Sequence, residues 1–152
     1  MTDQPLILAI ETSTLSCSVA LFRGDQLLGD TQAKEDQHVH GKQLLPMIDA
    51  LLRSNSLGSK DLEGVAVSAG PGSYTGLRIG VSTAKGIAHA HGLALMAFDS
   101  LHVQAFAAAA TGNWDAVIAV MDARRDEVYT ASFVPQESQF EIADETRALI
   151  LE

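Results

Sequence analysis

One run in the middle of the chain limits the fold more than any other. Val65-Ala66-Val67-Ser68-Ala69 is apolar and strand-like, and it leads directly into Gly70-Pro71-Gly72-Ser73-Tyr74-Thr75-Gly76-Leu77-Arg78-Ile79-Gly80. A helical pattern then continues to about His91. Strand, glycine-rich loop and helix make the local geometry of many phosphate sites, because first-turn N–H groups and the helix dipole favour an anion. The same run also fits a tight structural turn, or a helix made thin so that something can pack closely on it. Gly76, Gly80, Ala84 and Ala88 recur every four residues and form one stripe of small side chains. Each internal glycine costs about 1 kcal/mol relative to alanine, so Gly80 and Gly86 call for close approach. The stripe either packs on the chain's own sheet or faces another subunit.

The pattern on either side sets the element order. Leu6 to Ile10 is an apolar strand ending in Glu11-Thr12-Ser13-Thr14. Ser16 to Phe22 alternates, with Cys17, Val19 and Leu21 on one face, as a half-buried strand does. Arg23-Gly24-Asp25 is a turn, and Gln26 to Lys34 reads as a third strand, which makes an antiparallel meander. His40 to Asn55 is helical, and Leu44, Leu45, Met47, Ile48, Leu51 and Leu52 cover an arc of about 160° on it. That is wider than one buried side requires, so one flank is free to meet a partner. Pro46 is expected near enough to the helix start that its missing N–H is one of the unpaired ones. Strands at Leu93 to Phe98, Ala116 to Met121 and Glu127 to Val134, and a helix at Ser100 to Ala110, complete the reading.

The order is βββαβαβα followed by a new ββ start. A meander followed by helix–strand–helix–strand is a ribonuclease-H-like half-domain, and repeating it gives the two-lobed actin-like ATPase fold. The expected class is therefore α/β, with a first lobe over 1–112 and an unfinished second lobe over 113–152. The second meander reads as begun and not completed.

Composition narrows the function classes. Of 152 residues, 47% are hydrophobic, enough for a sizeable core and against disorder. Ten basic against 19 acidic residues give a net charge of -9, which argues against this chain gripping a nucleic acid backbone by itself. One cysteine, Cys17, excludes an internal disulfide, suggests a reducing compartment and reads as a packed strand residue. No run reaches the ~18 to 20 apolar residues of a membrane span, and no signal peptide is evident. A cytoplasmic protein with no membrane contact is expected.

The candidate sites differ in specificity. The glycine loop fails the P-loop pattern, since no glycine is followed by Lys-Ser or Lys-Thr at the required spacing. Gly70, Gly72 and Gly76, with Asp99 after the next strand, resemble a dinucleotide-binding unit. Such units begin at the first strand of a parallel sheet, and here three meander strands come earlier. Glu11, Thr12 and Ser13 form an acidic, hydroxyl-rich turn of the sort that approaches phosphate and Mg²⁺ in actin-like ATPases; the plain alternative is an ordinary turn. His38, His40, His89, His91 and His102 make no metal-ligand spacing, and no catalytic or metal-binding residue is assigned. Asp122-Ala123-Arg124-Arg125-Asp126-Glu127-Val128-Tyr129 reads as a charged hairpin whose two arginines suit an acidic partner or phosphate.

Four segments together carry a family resemblance: Ile10-Glu11-Thr12-Ser13, His40-Gly41-Lys42-Gln43-Leu44-Leu45-Pro46, Gly70 through Gly80, and Asp122 through Tyr129. The chain resembles the TsaB (YeaZ) family from about Leu6 to Tyr129, with the Gly70–Gly80 segment the most specific part. The resemblance implies an actin-like fold related to TsaD, and a non-catalytic scaffold subunit in making threonylcarbamoyladenosine in tRNA. TsaD would transfer the group to the adenosine 3′ of the anticodon, with the ATPase TsaE joining the pair. It implies a heterodimer with TsaD, a homodimer when alone, tRNA held only indirectly, and no cofactor of the chain's own, ATP and Mg²⁺ acting through the partner complex. The implied partner interface uses both first-lobe helices: Leu44, Leu45, Ile48, Leu51 and Leu52 on one, Gly76, Leu77, Gly80, Ala84 and Ala88 on the other. Glu11, Thr12, Ser13, Gly70 and Gly72 would be a vestigial nucleotide site. Family members are usually longer, so a shortened second lobe is expected. The competing class is a nucleotide-dependent enzyme, kinase-like or NAD(P)-binding, that uses the Gly70–Gly80 loop with Glu11 and Asp99.

Overall fold

The computed structural model describes residues 4–34, 40–136 and 139–150; the His38 candidate lies outside them. The chain divides into two compact units, the first 1–69 with 73–97, the second 70–72 with 98–152.

In the first unit, β1 (Leu6–Glu11), β2 (Ser16–Arg23) and β3 (Gln26–Lys34) form the expected meander. β1 pairs antiparallel with β2, with Ile10 opposite Val19, and parallel with β4 (Gly64–Ser68), with Ile10 opposite Val67. With β5 (Ala94–Phe98) the sheet order is β3-β2-β1-β4-β5. Strand periodicity puts Leu6, Leu8 and Ile10 of β1 and Cys17, Val19 and Leu21 of β2 into one core. α1 (His40–Ser54) brings Leu44, Ile48, Leu51 and Leu52 to it, a helical i, i+4, i+7, i+8 set. α1 starts at His40 as expected, but Pro46 falls inside it, beyond the first four N–H groups, so its missing N–H is not one of those left unpaired at the start. α2 (Tyr74–His91) opens on Ser73, whose hydroxyl accepts from the Gly76 N–H, and closes on Gly92 at φ 64°. That left-handed cap suits a residue without a Cβ.

In the second unit, α3 (Ser100–Ala109) is capped by Asp99, whose carboxylate accepts from the Leu101 and His102 N–H groups. β6 (Val117–Arg124), β7 (Glu127–Gln136) and β8 (Gln139–Ile150) follow in an antiparallel sheet of order β6-β7-β8. Its core is Leu101 and Ala105 from α3 with Ala119, Ala131 and Phe133 from β6 and β7. β8, which the sequence reading did not assign, gives this second meander a third strand. α3 groups with the strands that follow it, because it packs its apolar side on β6 and β7.

Candidate functional site

The Glu11-Thr12-Ser13 turn joins β1 to β2 and is buried: Thr12 is 0% exposed and Ser13 2%. The Thr12 hydroxyl donates to the Gly76 carbonyl at 2.9 Å. The Ser73 N–H donates to the Ser13 carbonyl at 2.7 Å. One Glu11 carboxylate oxygen accepts from the Ser13 N–H and the other from the Ser68 hydroxyl. The start of α2 is therefore tied to the end of β1, and both carboxylate oxygens already serve the chain's own donors. The Ser13 hydroxyl is buried without a hydrogen-bond partner. Ser68 and Ser73 complete this cluster. The sequence reading singled out neither of them, since a lone hydroxyl at the end of a strand or the start of a helix has no pattern of its own.

The small stripe of α2 has a definite occupant. A Cβ at Gly76 would overlap the Thr12 carbonyl oxygen, and one at Gly80 would overlap the Thr12 hydroxyl oxygen. Ala84 and Ala88 are buried in the same core. Of the two readings open in the sequence, packing within the chain's own unit is the one observed. The same holds for the leucines of α1, where Leu44, Ile48, Leu51 and Leu52 are buried. Eight of the ten residues expected at a partner interface thus line the core, and only Leu45, 58% exposed, and the half-buried Leu77 reach the surface. The physical reason is that a stripe small enough to admit a neighbour admits the nearest one, the β1 turn. Gly86 faces open space, so no close approach explains it.

Gly70 and Gly72 belong to the second unit. Their φ angles of 116° and 154° lie where side chains are strongly disfavoured. The Gly70 carbonyl accepts from the Ser100 N–H at 2.9 Å. Asp99, the acid a dinucleotide unit would require, is engaged otherwise: besides capping α3, its second oxygen accepts from the Thr146 hydroxyl at 2.9 Å. His102 stacks on Phe106 and lies tilted on Phe133. Among the described residues, no group of three or more His, Cys, Asp or Glu comes together in a way that could hold a metal ion. Burial pushes the Cys17 thiol above its ordinary value of 9.0, which favours the inert protonated form. No described helix is long and apolar enough to cross a membrane.

The exposed flank of α1 and α2 carries the remaining features. A Cβ added at Gly41 would lie 3.6 Å from the end of the Ile79 side chain, which sets this end of α1 beside α2. Leu45 lies one turn further along α1. On α2, Tyr74 is 74% exposed, and the Arg78 guanidinium lies 5.5 Å from the centre of its ring.

A meander with strand order 3-2-1-4-5 and helices after β3, β4 and β5, followed by a second meander, defines an α/β protein of the actin-like ATPase class, built on the ribonuclease-H-like plan. The family model described as TsaD, tRNA N6-adenosine threonylcarbamoyltransferase, matches residues 32–151. The chain is 39% identical over 129 residues to the tRNA threonylcarbamoyladenosine biosynthesis protein TsaB of Haemophilus influenzae, covering 84% of this chain and 53% of that protein. It is 33% identical to TsaB of Escherichia coli, covering 95% of this chain and 62% of the relative. The solved structure of YeaZ from Pseudomonas aeruginosa superposes with a TM-score of 0.88 at 31% identity, covering 95% of this chain and 67% of that one. The chain belongs to the TsaB (YeaZ) family. It spans between about half and two thirds of the length of these curated relatives.

Proposed function

We propose that this chain acts as the non-catalytic scaffold subunit in threonylcarbamoylation of tRNA. The observation that carries the reading is its family placement, with identity of 33–39% to proteins named for threonylcarbamoyladenosine biosynthesis. In this reading the chain pairs with TsaD, which performs the transfer, and TsaE joins that pair. Alone, the chain pairs with itself. The tRNA is held by the partners in the cytoplasm, as suits a net charge of -9.

The pairing surface we assign is the exposed flank of α1 and α2, centred on Leu45, Leu77, Tyr74 and Arg78. Exposed aromatic, leucine and arginine side chains on adjoining helices are the composition of interface centres. The buried stripe behind them supports that flank by fixing α2 on β1. The test is co-purification with TsaD. Leu45→Arg is expected to weaken binding at least about ten-fold while the fold, followed by circular dichroism, is retained. Binding equal to that of the parent would overturn the assignment.

A second reading, nucleotide binding, rests on one observation: the Ser13 hydroxyl, buried and unpartnered beside the N-terminus of α2. An anion there would be met by α2 first-turn N–H groups. Calorimetry with Mg-ATP and with NAD(P)H tests it. Heat with either supports retained binding, and silence at millimolar ligand removes this reading.

A further inference from the structure

We propose that the outward sides of α1 and α2 form a basic docking face, which selects an acidic face on a protein partner over a second copy of this chain. The inference rests on the pairing reading above and adds the chemistry of the partner.

Charge is unevenly spread along the chain. α1 and α2 hold four of its ten Lys and Arg residues and one of its 19 Asp and Glu residues. The two helices therefore carry +3, and the rest of the chain, six basic against 18 acidic residues, carries -12. The one acid, Asp49, is already paired with Arg53 at 3.0 Å. Lys42, Arg78 and Lys85 are exposed and have no ion-pair partner among the described residues. Both helices pack on the same core, so these three cations share one outward surface with the exposed Leu45 and Tyr74.

The local geometry adds a seat for a partner's carboxylate. Thr75, Arg78, Ile79 and Ser82 line a depression on the outward side of α2. Its polar side chains are a guanidinium and two hydroxyls, with no carboxylate among them. The Tyr74 ring, 5.5 Å from the Arg78 guanidinium, holds that donor in place. Lys85 follows Arg78 by seven residues, two helical turns along the same face. A guanidinium and a carboxylate make a charge-assisted hydrogen bond, the stronger kind. Leu45 among the cations marks a protein partner, since contacts to a phosphate backbone are polar. A second copy is the poorer occupant, because a two-fold contact sets the same patch against itself. One +3 face would then meet another, and like charges across an interface disfavour it.

The experiment measures TsaD binding by calorimetry and self-association by sedimentation equilibrium, each at about 0.05 and about 0.5 M NaCl. The higher salt is expected to weaken TsaD binding at least about ten-fold, because it screens opposite charges. Self-association is expected to hold or strengthen, because there salt screens like charges. At low salt, Arg78→Glu and Lys85→Glu are each expected to weaken TsaD binding at least about ten-fold. Lys60→Glu makes the same charge change at an exposed residue off both helices, and is expected to leave binding within about three-fold. Circular dichroism confirms that each variant folds. TsaD binding that ignores salt and both reversals, yet is lost in Leu45→Arg, would overturn the acidic partner and leave the pairing reading standing. TsaD binding that Leu45→Arg leaves unchanged removes the pairing reading, and this inference with it. Self-association that weakens with salt as TsaD binding does would overturn the selection between them. Direct tRNA binding that both reversals abolish, with TsaD binding untouched, would assign the face to nucleic acid and overturn the proposal.

Discussion

The two units begin from the same plan, a three-stranded antiparallel meander, and differ in what covers it. In the first, α1 and α2 supply leucines and a small-residue face, and fifteen apolar residues are buried together among those described. In the second, α3 alone covers part of β6 and β7, and the corresponding cluster has five. β1 and β2 bury every other residue, whereas β8 exposes its whole length from 141 to 150. Alternation makes a strand, but a helix of matching period turns that strand into core. Burial of apolar area drives stability, so the first unit should hold most of it.

The sharpest way to break that contrast is a pair of core truncations. Leu8→Ala should cost about 4 kcal/mol in urea unfolding. Phe133→Ala should cost about 3 kcal/mol, and its effect on amide exchange should be confined to β6, β7 and β8. Equal acceleration of exchange in β1 and β2 would show that the units do not open separately.

The contact between α2 and the β1 turn allows a finer test. Gly76→Ala should cost about 3 kcal/mol by overpacking, and Thr12→Ala should not relieve it, because the obstacle is backbone. Gly80→Ala should cost about 2 kcal/mol and be largely relieved by Thr12→Ala, because there the obstacle is the hydroxyl. The double-mutant cycle in chemical denaturation reads this coupling. A leucine at Gly80 would disrupt the fold together with any pairing, so Leu45 is the position that separates the two.

In the second unit, Asp99→Ala removes the α3 cap and the Thr146 contact and should lower stability by about 1 kcal/mol. The smallest effect concerns Cys17. Its folded-state pKa is raised by burial, so the folded state holds the thiol proton more tightly than the unfolded state. That contribution is complete below pH 9 and is lost as pH rises through and above it. The stability of the parent relative to Cys17→Ala should therefore be flat up to pH 9 and fall beyond. A flat difference at all pH values would mean that the thiol is not desolvated.

Much of the fold was legible in the residues. The β2 alternation, the β3 limits and the α2 stop near His91 follow from periodicity and from Gly92 in the left-handed region. The strand β8 was not legible, because Glu141-Ile142-Ala143-Asp144-Glu145-Thr146 lacks a period of two and its register shifts remove what regularity there is. The turn at Arg124, Arg125 and Asp126 was read as a hairpin, yet its three positive φ values, 67°, 56° and 60°, fall on residues that do not advertise them. The stripe on α2 was visible as a pattern. Its neighbour was not, because Thr12 is remote in sequence and no local rule links them.

That remoteness has a consequence for synthesis. The Thr12 hydroxyl and the Gly76 carbonyl are 64 residues apart. At ribosomal rates of about 5–20 residues per second, the β1 turn leaves the exit tunnel roughly 3–13 seconds before its lock arrives. Until then the Thr12 hydroxyl has only water to bond, while α1, made earlier, is already available to cover Leu8, Ile10 and Val19. The glycines of α2 thus time the last contact of this core and not its first.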